Sequence, residues 1–160
     1  MAKSDDPTGP TGTPMAEQCL AVRVRLLNRR ISRIYDAAFR PLGVTAAQVN
    51  LLSALELAGP VPAGRLADVL AMEISTLSRN ARIMAGEGWV EVERADHGNG
   101  RILRLTEAGA QKLADAGPAW EEAQREARAL LGEDGAHDLK RLGDAVWAAG
   151  VASAAGAAAG

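Results

Sequence analysis

In the segment "ISTLSRNARIMAGEG", Ser75, Thr76, Ser78, Arg79 and Arg82 crowd into the first two turns of an expected helix. Three hydroxyls and two guanidinium groups make no acid–base pair and no nucleophile beside a base. Their chemistry is hydrogen bonding. Hydroxyls and Arg N–H groups bond phosphate oxygens, and the Arg fork fits two acceptors on one base edge, with Arg79 best placed to do so. Taken alone, the same residues would also suit a solvated helix face.

Other reactive side chains are few. Cys19 is the only cysteine, and the two histidines are His97 and His137. None has a placed catalytic partner, and no glycine-rich phosphate loop occurs. His137 follows Glu133 by four residues, near Asp134 and Asp138. A metal site needs more ligands than that spacing guarantees, so a surface ion pair is the expectation there. No catalytic residue, metal or cofactor is expected, and the chain does not read as an enzyme.

The elements that must position these residues follow from composition and pattern. A chain of 160 residues suits one domain, and with 48% hydrophobic residues it can bury a real core. Ala and Leu outnumber β-branched residues, and the aromatics are only Tyr35, Phe39, Trp89, Trp120 and Trp147, so the chain should be mainly helical. One cysteine leaves no intrachain disulfide framework. The N-terminus has no apolar signal core, and no segment approaches the ~18 uninterrupted apolar residues of a membrane span. A soluble, cytoplasmic protein without a membrane partner is expected.

The net charge of −2 hides an uneven distribution. Residues 20–40 carry six Arg against Asp36, residues 60–105 balance six Arg against six acids, and residues 106–160 hold five bases and nine acids. This is no uniform basic coat. The Arg run of the first helix reads as a solvated face.

Residues 1–14 are small, polar and rich in Pro and Gly, which reads as a disordered tail. Residues 149–160 form an Ala/Gly tail, leaving 15–148 as the domain. A first helix from about Met15 to Phe39 carries a heptad-like stripe of Leu20, Val24, Leu27, Ile31, Ile34 and Ala38. Pro41 and Gly43 end it. Thr45 and Gln48 form a capping-box pattern for the next helix, with Val49, Leu52 and Leu55 inward. Gly59-Pro60 stops that helix, Pro62 suits the first turn of a third, and Ser75 or Glu73 is the candidate cap of a fourth. "WVEVER" and "RILRL" then alternate as strands around the turn "ADHGNG". Thr106-Glu107 opens a helix interrupted near Gly117-Pro118, and "GEDGAHDLKRLGDAVWAA" supplies the last. The order is α-α-α-α-β-β-α-α: mainly α with a small β-hairpin wing.

Two short helices joined by a tight break and followed by a hairpin form a winged helix-turn-helix, whose second helix enters a DNA major groove. Ser75, Thr76, Ser78, Arg79 and Arg82 are then the candidate DNA contacts, joined by Arg94 and Arg101 at the hairpin. Arg82 and Arg101 could alternatively pair with Glu91, Glu93 or Asp96.

"LGVTAAQVNLLSAL", "RLADVLAMEISTLSRNARIMAGEGWVEV" and "LRLTEAG" resemble the MarR family of dimeric bacterial transcription regulators. The resemblance covers roughly residues 16–148. It rests on Leu77-Ser78-Arg79, on Gly88-Trp89-Val90 and on the Leu105-Thr106-x-x-Gly109 pattern. It implies a DNA-binding lobe at about 45–105 and dimerisation helices at about 15–40 and 106–148. It also implies a pseudo-palindromic double-stranded operator and a ligand- or oxidant-sensing region between dimer core and lobes. The expected function is a repressor released from its operator by a small phenolic ligand or a peroxide. A winged-helix protein-interaction module without specific DNA binding is the rival reading.

The chain departs from the family where Arg82-Ile83 replaces a common Asp-Arg, where Glu87 replaces a common base, and where "DHGNGR" replaces an Asp-Arg-Arg wing. The wing keeps Arg94 and Arg101, with Asp96 placed to orient one of them, so the fourth helix carries more of the expected binding. A homodimer is also expected from the length of the first apolar stripe and from Leu130, Leu139, Leu142 and Val146 at helical spacing. Trp120 and Trp147 suit core or dimer-seam packing. Cys19 is the candidate redox sensor. It falls in the opening turns of the first helix, where the helix dipole favours a thiolate and Arg23 lies at i+4. Peroxide-sensing members of the family carry a reactive cysteine there, usually bonded by tyrosines. Tyr35 is the only tyrosine here, four turns away, so such support would come from a partner or be absent. An inert half-buried thiol is the alternative.

Overall fold

The computed structural model describes residues 17–95 and 100–157, with side chains described through Val146. The expected tail at 1–14, the helix start at Met15, the hairpin tip at 96–99 with Asp96 and His97, the side chain of Trp147 and the last three residues of the Ala/Gly tail lie outside the described residues.

Helix α1 (Leu20–Phe39) is followed by a 3-10 turn at Arg40–Leu42, α2 (Ala46–Ala58), β1 (Val61–Pro62), α3 (Ala63–Val69), α4 (Ile74–Gly86), β2 (Val90–Arg94), β3 (Arg101–Leu105) and α5 (Glu107–Ala157). The chain divides after Arg33 into two compact units. In the first unit α1 leaves most of its described apolar side chains in solvent, Leu20 at 77% and Val24 at 65% exposure, with Ile31 half-buried. The long amphipathic stripe is present, but no core covers it within its own unit.

The second unit holds the core. Phe39, Leu51, Leu52, Leu55, Leu66, Leu77, Met84 and Leu103 are its largest fully buried side chains. Helix α2 opens with the capping box its sequence predicts. The Gln48 amide N–H donates to Thr45 Oγ1 at 3.3 Å, and the Thr45 N–H donates to Gln48 Oε1 at 2.9 Å. Val49, Leu52 and Leu55 are inward as expected, and Leu51 joins them. Helix α5 docks on the 3-10 turn through Lys112, whose Nζ donates to the Leu42 carbonyl at 3.1 Å and lies 4.9 Å from the Trp89 ring centroid.

Two features correct the sequence reading, and a third decides between alternatives it left open. A third strand, β1, joins the hairpin in an antiparallel sheet of order β1-β3-β2, with Val61 opposite Leu103 and Pro62 opposite Ile102. Two residues carry no period to read, and Pro62 is tolerated because the strand lies at the sheet edge. Gly117-Pro118 does not interrupt α5. Pro118 is exposed, so the amide bond it forfeits leaves only the carbonyl of exposed Ala114 to water, while Ala116 stays buried. The break comes instead at Gly132, with φ 71° and ψ 162°, a backbone state that glycine adopts without a Cβ clash. The last helix therefore starts where "GEDG" placed it. Finally, Ser75 is not a cap. Glu73 occupies the N-cap position of α4 without a side-chain capping bond, and Ser75 is the second helical residue.

The turn between α3 and α4 is tight. The Ala71 N–H donates to the Asp68 carbonyl at 3.1 Å and the Met72 N–H to the Ala67 carbonyl at 2.9 Å. This forces Ala71 to φ 50°, the one positive-φ non-glycine residue among those described. A left-handed alanine costs about 1–2 kcal/mol, part of which glycine would return as lost chain entropy. Ala71→Gly should therefore raise unfolding free energy by about 0.5–1 kcal/mol in a urea titration. A lower midpoint at unchanged slope would show that the turn is not strained.

Candidate nucleic-acid interface

Helix α4 divides cleanly by periodicity. Leu77, Ala81 and Met84 are buried, and Ser75, Arg79 and Arg82 project outward at i, i+4 and i+7. Its C-terminus closes in a Schellman motif. Gly88 sits at φ 75°, its N–H donates to the Ala85 carbonyl at 3.1 Å, and the Trp89 N–H reaches the Met84 carbonyl at 2.9 Å. That turn feeds the chain directly into β2. At its other end, α4 opens without a side-chain cap, so its first amide groups remain available to an acceptor.

The hairpin register places the wing residues. Val90 faces Leu105, Val92 faces Leu103 and Arg94 faces Arg101, so these pairs share one side of the ribbon. The opposite side carries Glu91, Glu93, Ile102 and Arg104, with Arg104 Nη2 3.8 Å from Glu93 Oε2. Thus Glu93 pairs with Arg104, and neither Arg82 nor Arg101 takes it.

The side bearing Val92, Leu103 and Arg101 meets α4 across a cleft of about 580 Å³. Ser75, Ser78, Arg79, Arg82 and Arg101 line it, above a floor that includes Leu77, Ala81, Val92 and Leu103. Five of the seven sequence-predicted contacts are therefore brought together. Arg94 stands opposite Arg101 on the same ribbon face. Thr76 lies on the other flank of α4, exposed, with its carbonyl accepting the Asn80 amide at 3.0 Å. Among the described residues, Arg79, Arg82, Arg94 and Arg101 form no ion pair.

The remaining candidates are not among the residues that line this cleft. Cys19 is half-buried and immediately precedes α1 rather than lying within it; the Arg23 guanidinium donates to its carbonyl at 3.4 Å. The Tyr35 hydroxyl donates to Gln124 Oε1 at 2.8 Å, and burial pushes its pKa up against an opposing pull from Arg128. His137 is exposed, and no cluster of three metal-ligating side chains occurs among the described residues. Trp120 is half in solvent at 45% exposure and borders a small hollow between α2 and α5. Sequence reasoning missed Ile83, which is exposed on the outward side of α4; its sequence signal was an apolar residue off the buried stripe.

No family model matches the chain. The multiple antibiotic resistance protein MarR of Escherichia coli is 27% identical over 88 residues, 54% of this chain and 61% of that protein. The match thus spans about three fifths of the curated relative's length. Among solved structures, the M. tuberculosis transcriptional regulator MosR has a TM-score of 0.68 at 32% identity, over 82% of this chain and 98% of that one. MosR has also been solved in complex with DNA, and that structure is 30% identical. A cysteine-to-serine mutant of E. coli MarR complexed with operator DNA shares the fold, with a TM-score of 0.70 at 23% identity over 82% of this chain and 96% of its own.

The facing Arg94 and Arg101 carry a physical consequence. Like charges directly opposed on a ribbon destabilise it by about 0.2–1 kcal/mol. Arg94→Gln should therefore raise thermal stability slightly at low salt, with the gain vanishing as salt screens the pair. A loss of stability at every ionic strength would mean that Arg94 is held by an attractive partner.

Proposed function

The chain belongs to the MarR family of winged-helix regulators, and we propose that it is a sequence-specific DNA-binding transcriptional regulator. One observation carries the reading: α4 and the wing converge on a cleft rimmed by Arg79, Arg82 and Arg101, with Arg94 facing Arg101 on the ribbon, and none of these is neutralised by a described acid. Guanidinium groups left unpaired around a hydroxyl-bearing helix suit a polyanion with readable base edges.

In this reading α4 enters the major groove, Arg79 forks onto a guanine, and Ser75, Thr76, Ser78 and Arg82 fix the helix on phosphates. Arg94 and Arg101 hold the adjacent minor groove. The protein acts as a homodimer, supported by the exposed apolar side chains of α1 and by exposed Leu130, Leu139, Leu142 and Val146 in α5. Two copies would read a pseudo-palindrome with half-sites about one helical turn apart.

Selection of bound duplexes from a random pool tests this. It should return a two-fold-related sequence, bound less tightly as salt rises. Arg79→Ala should cost about 1–3 kcal/mol and relax preference at one base in each half-site. Binding of Arg79→Ala unchanged on the selected duplex would sink the assignment. Binding insensitive to salt and sequence would favour the protein-interaction module.

The protein is proposed to act as a repressor that leaves its operator on binding a small phenolic ligand or on oxidation of Cys19. The half-buried position of Cys19 at the start of α1 supports the second signal. A peroxide would oxidise the thiolate to a sulfenic acid with release of water or alcohol, and a second thiol would then form a disulfide with loss of water. Organic peroxide should release operator DNA from the wild type and not from Cys19→Ser in a mobility-shift assay. Release from both, or from neither, leaves a non-covalent ligand as the signal.

A further inference from the structure

The outward side of α4 is not uniformly polar. Ile83 is 46% exposed there, one turn beyond Arg79 at i+4. Gly86, one turn further and also exposed, adds no side chain and has open space where a Cβ would stand. Single exposed apolar residues are ordinary on protein surfaces. Ile83 differs in its surroundings, since it stands beside Arg79 on the face that the proposed reading turns toward DNA. Leu77, Ala81 and Met84 already fill the buried stripe of this helix, so core packing does not account for Ile83.

The geometry points to Ile83 as a specificity-determining residue that packs on the C5-methyl group of a thymine. This rests on the proposed DNA-binding function and deepens it. Among the base-pair edges of the major groove, the thymine methyl is the apolar feature, and an aliphatic side chain is its natural partner. One helical turn separates Ile83 from Arg79 by about 6 Å along the axis, close to two base-pair steps of ~3.4 Å each. The thymine should therefore lie about two base pairs from the guanine read by Arg79, once in each half-site. The Gly86 gap lets the backbone of the last turn approach without a competing side chain.

The test replaces each thymine of the selected duplex, one at a time, by deoxyuridine, which removes the methyl group and keeps base pairing. In the wild type, replacement at one position per half-site should weaken binding about three- to five-fold, the worth of one buried methyl. The same replacement should leave Ile83→Ala unaffected, and Ile83→Val should keep most of the wild-type response. Ile83→Ala should fold, because the position is exposed and alanine is the better helix former. A flat deoxyuridine scan in the wild type, or an equal loss in wild type and Ile83→Ala, overturns the inference. Salt- and Arg79-dependent binding with such a flat scan overturns it alone. Failure to enrich any sequence removes the DNA-binding reading and this inference with it.

Discussion

The junction of α4, the wing and α5 depends on one side chain, Thr106. Its hydroxyl donates to the Gly88 carbonyl at 2.7 Å and accepts the Gly109 N–H at 3.0 Å, while its own N–H donates to the Trp89 carbonyl at 3.1 Å. One residue thus caps α5 and ties it to the turn that ends α4. Gly109 completes the arrangement, since a Cβ there would overlap the Trp89 carbonyl and Leu105 Cδ1. Helix α5 can lie against the start of β2 only because that position has no side chain. The two motifs Gly-Trp-Val and Leu-Thr-x-x-Gly are therefore two halves of one contact.

That contact makes the rest of the interface rigid where it matters. With Gly88 in the left-handed region, the exit of α4 is set, and Trp89 and Val90 are buried at the root of the wing. The register of β2 on β3 then puts Arg101 over α4 and Arg104 on the far side. A slip of one residue would exchange those faces and bury a charge. Lys112 adds a second tie by stacking over Trp89 and bonding the turn after α1. The exit of α4 and the root of the wing are thus tied together by several bonds, so the backbone there needs no ordering on binding.

How much of this could be read beforehand depended on whether the signal was local. The Thr45–Gln48 box, the inward Val49, Leu52 and Leu55 of α2 and the alternation of the wing strands are statements about neighbours in sequence, and they were legible. Ser75, Ser78, Arg79, Arg82 and Arg101 were picked out one by one, but their convergence on a single cleft is a product of the sheet register. Strand β1 was hidden because a two-residue bridge exists only through Leu103 and Ile102, some forty residues later. Gly117-Pro118 looked like a stop because Pro usually ends helices, whereas the buried alanines at 116, 123 and 127 hold the helix across it. Gly132 carries the real break, at the start of the segment that the sequence assigns to the last helix. Ala71 was invisible because the tight α3–α4 turn imposes a conformation its own side chain disfavours.

The charge that this lobe presents is decided by position rather than by sum. Residues 60–105 hold equal numbers of arginines and acids, which taken as a sum argues against a polyanionic partner. The register separates them. Glu91 and Glu93 lie on the side of the ribbon away from α4, where Arg104 answers Glu93. Arg94 and Arg101 share the side toward α4, and the described acids leave Arg79 and Arg82 unpaired as well. A nearly neutral lobe can therefore present a strongly positive cleft on one face. Repulsion among those arginines disfavours the free protein, and phosphate in the proposed complex would relieve it. The field at the contact surface is then set by the alternation of strand residues rather than by the composition of the lobe.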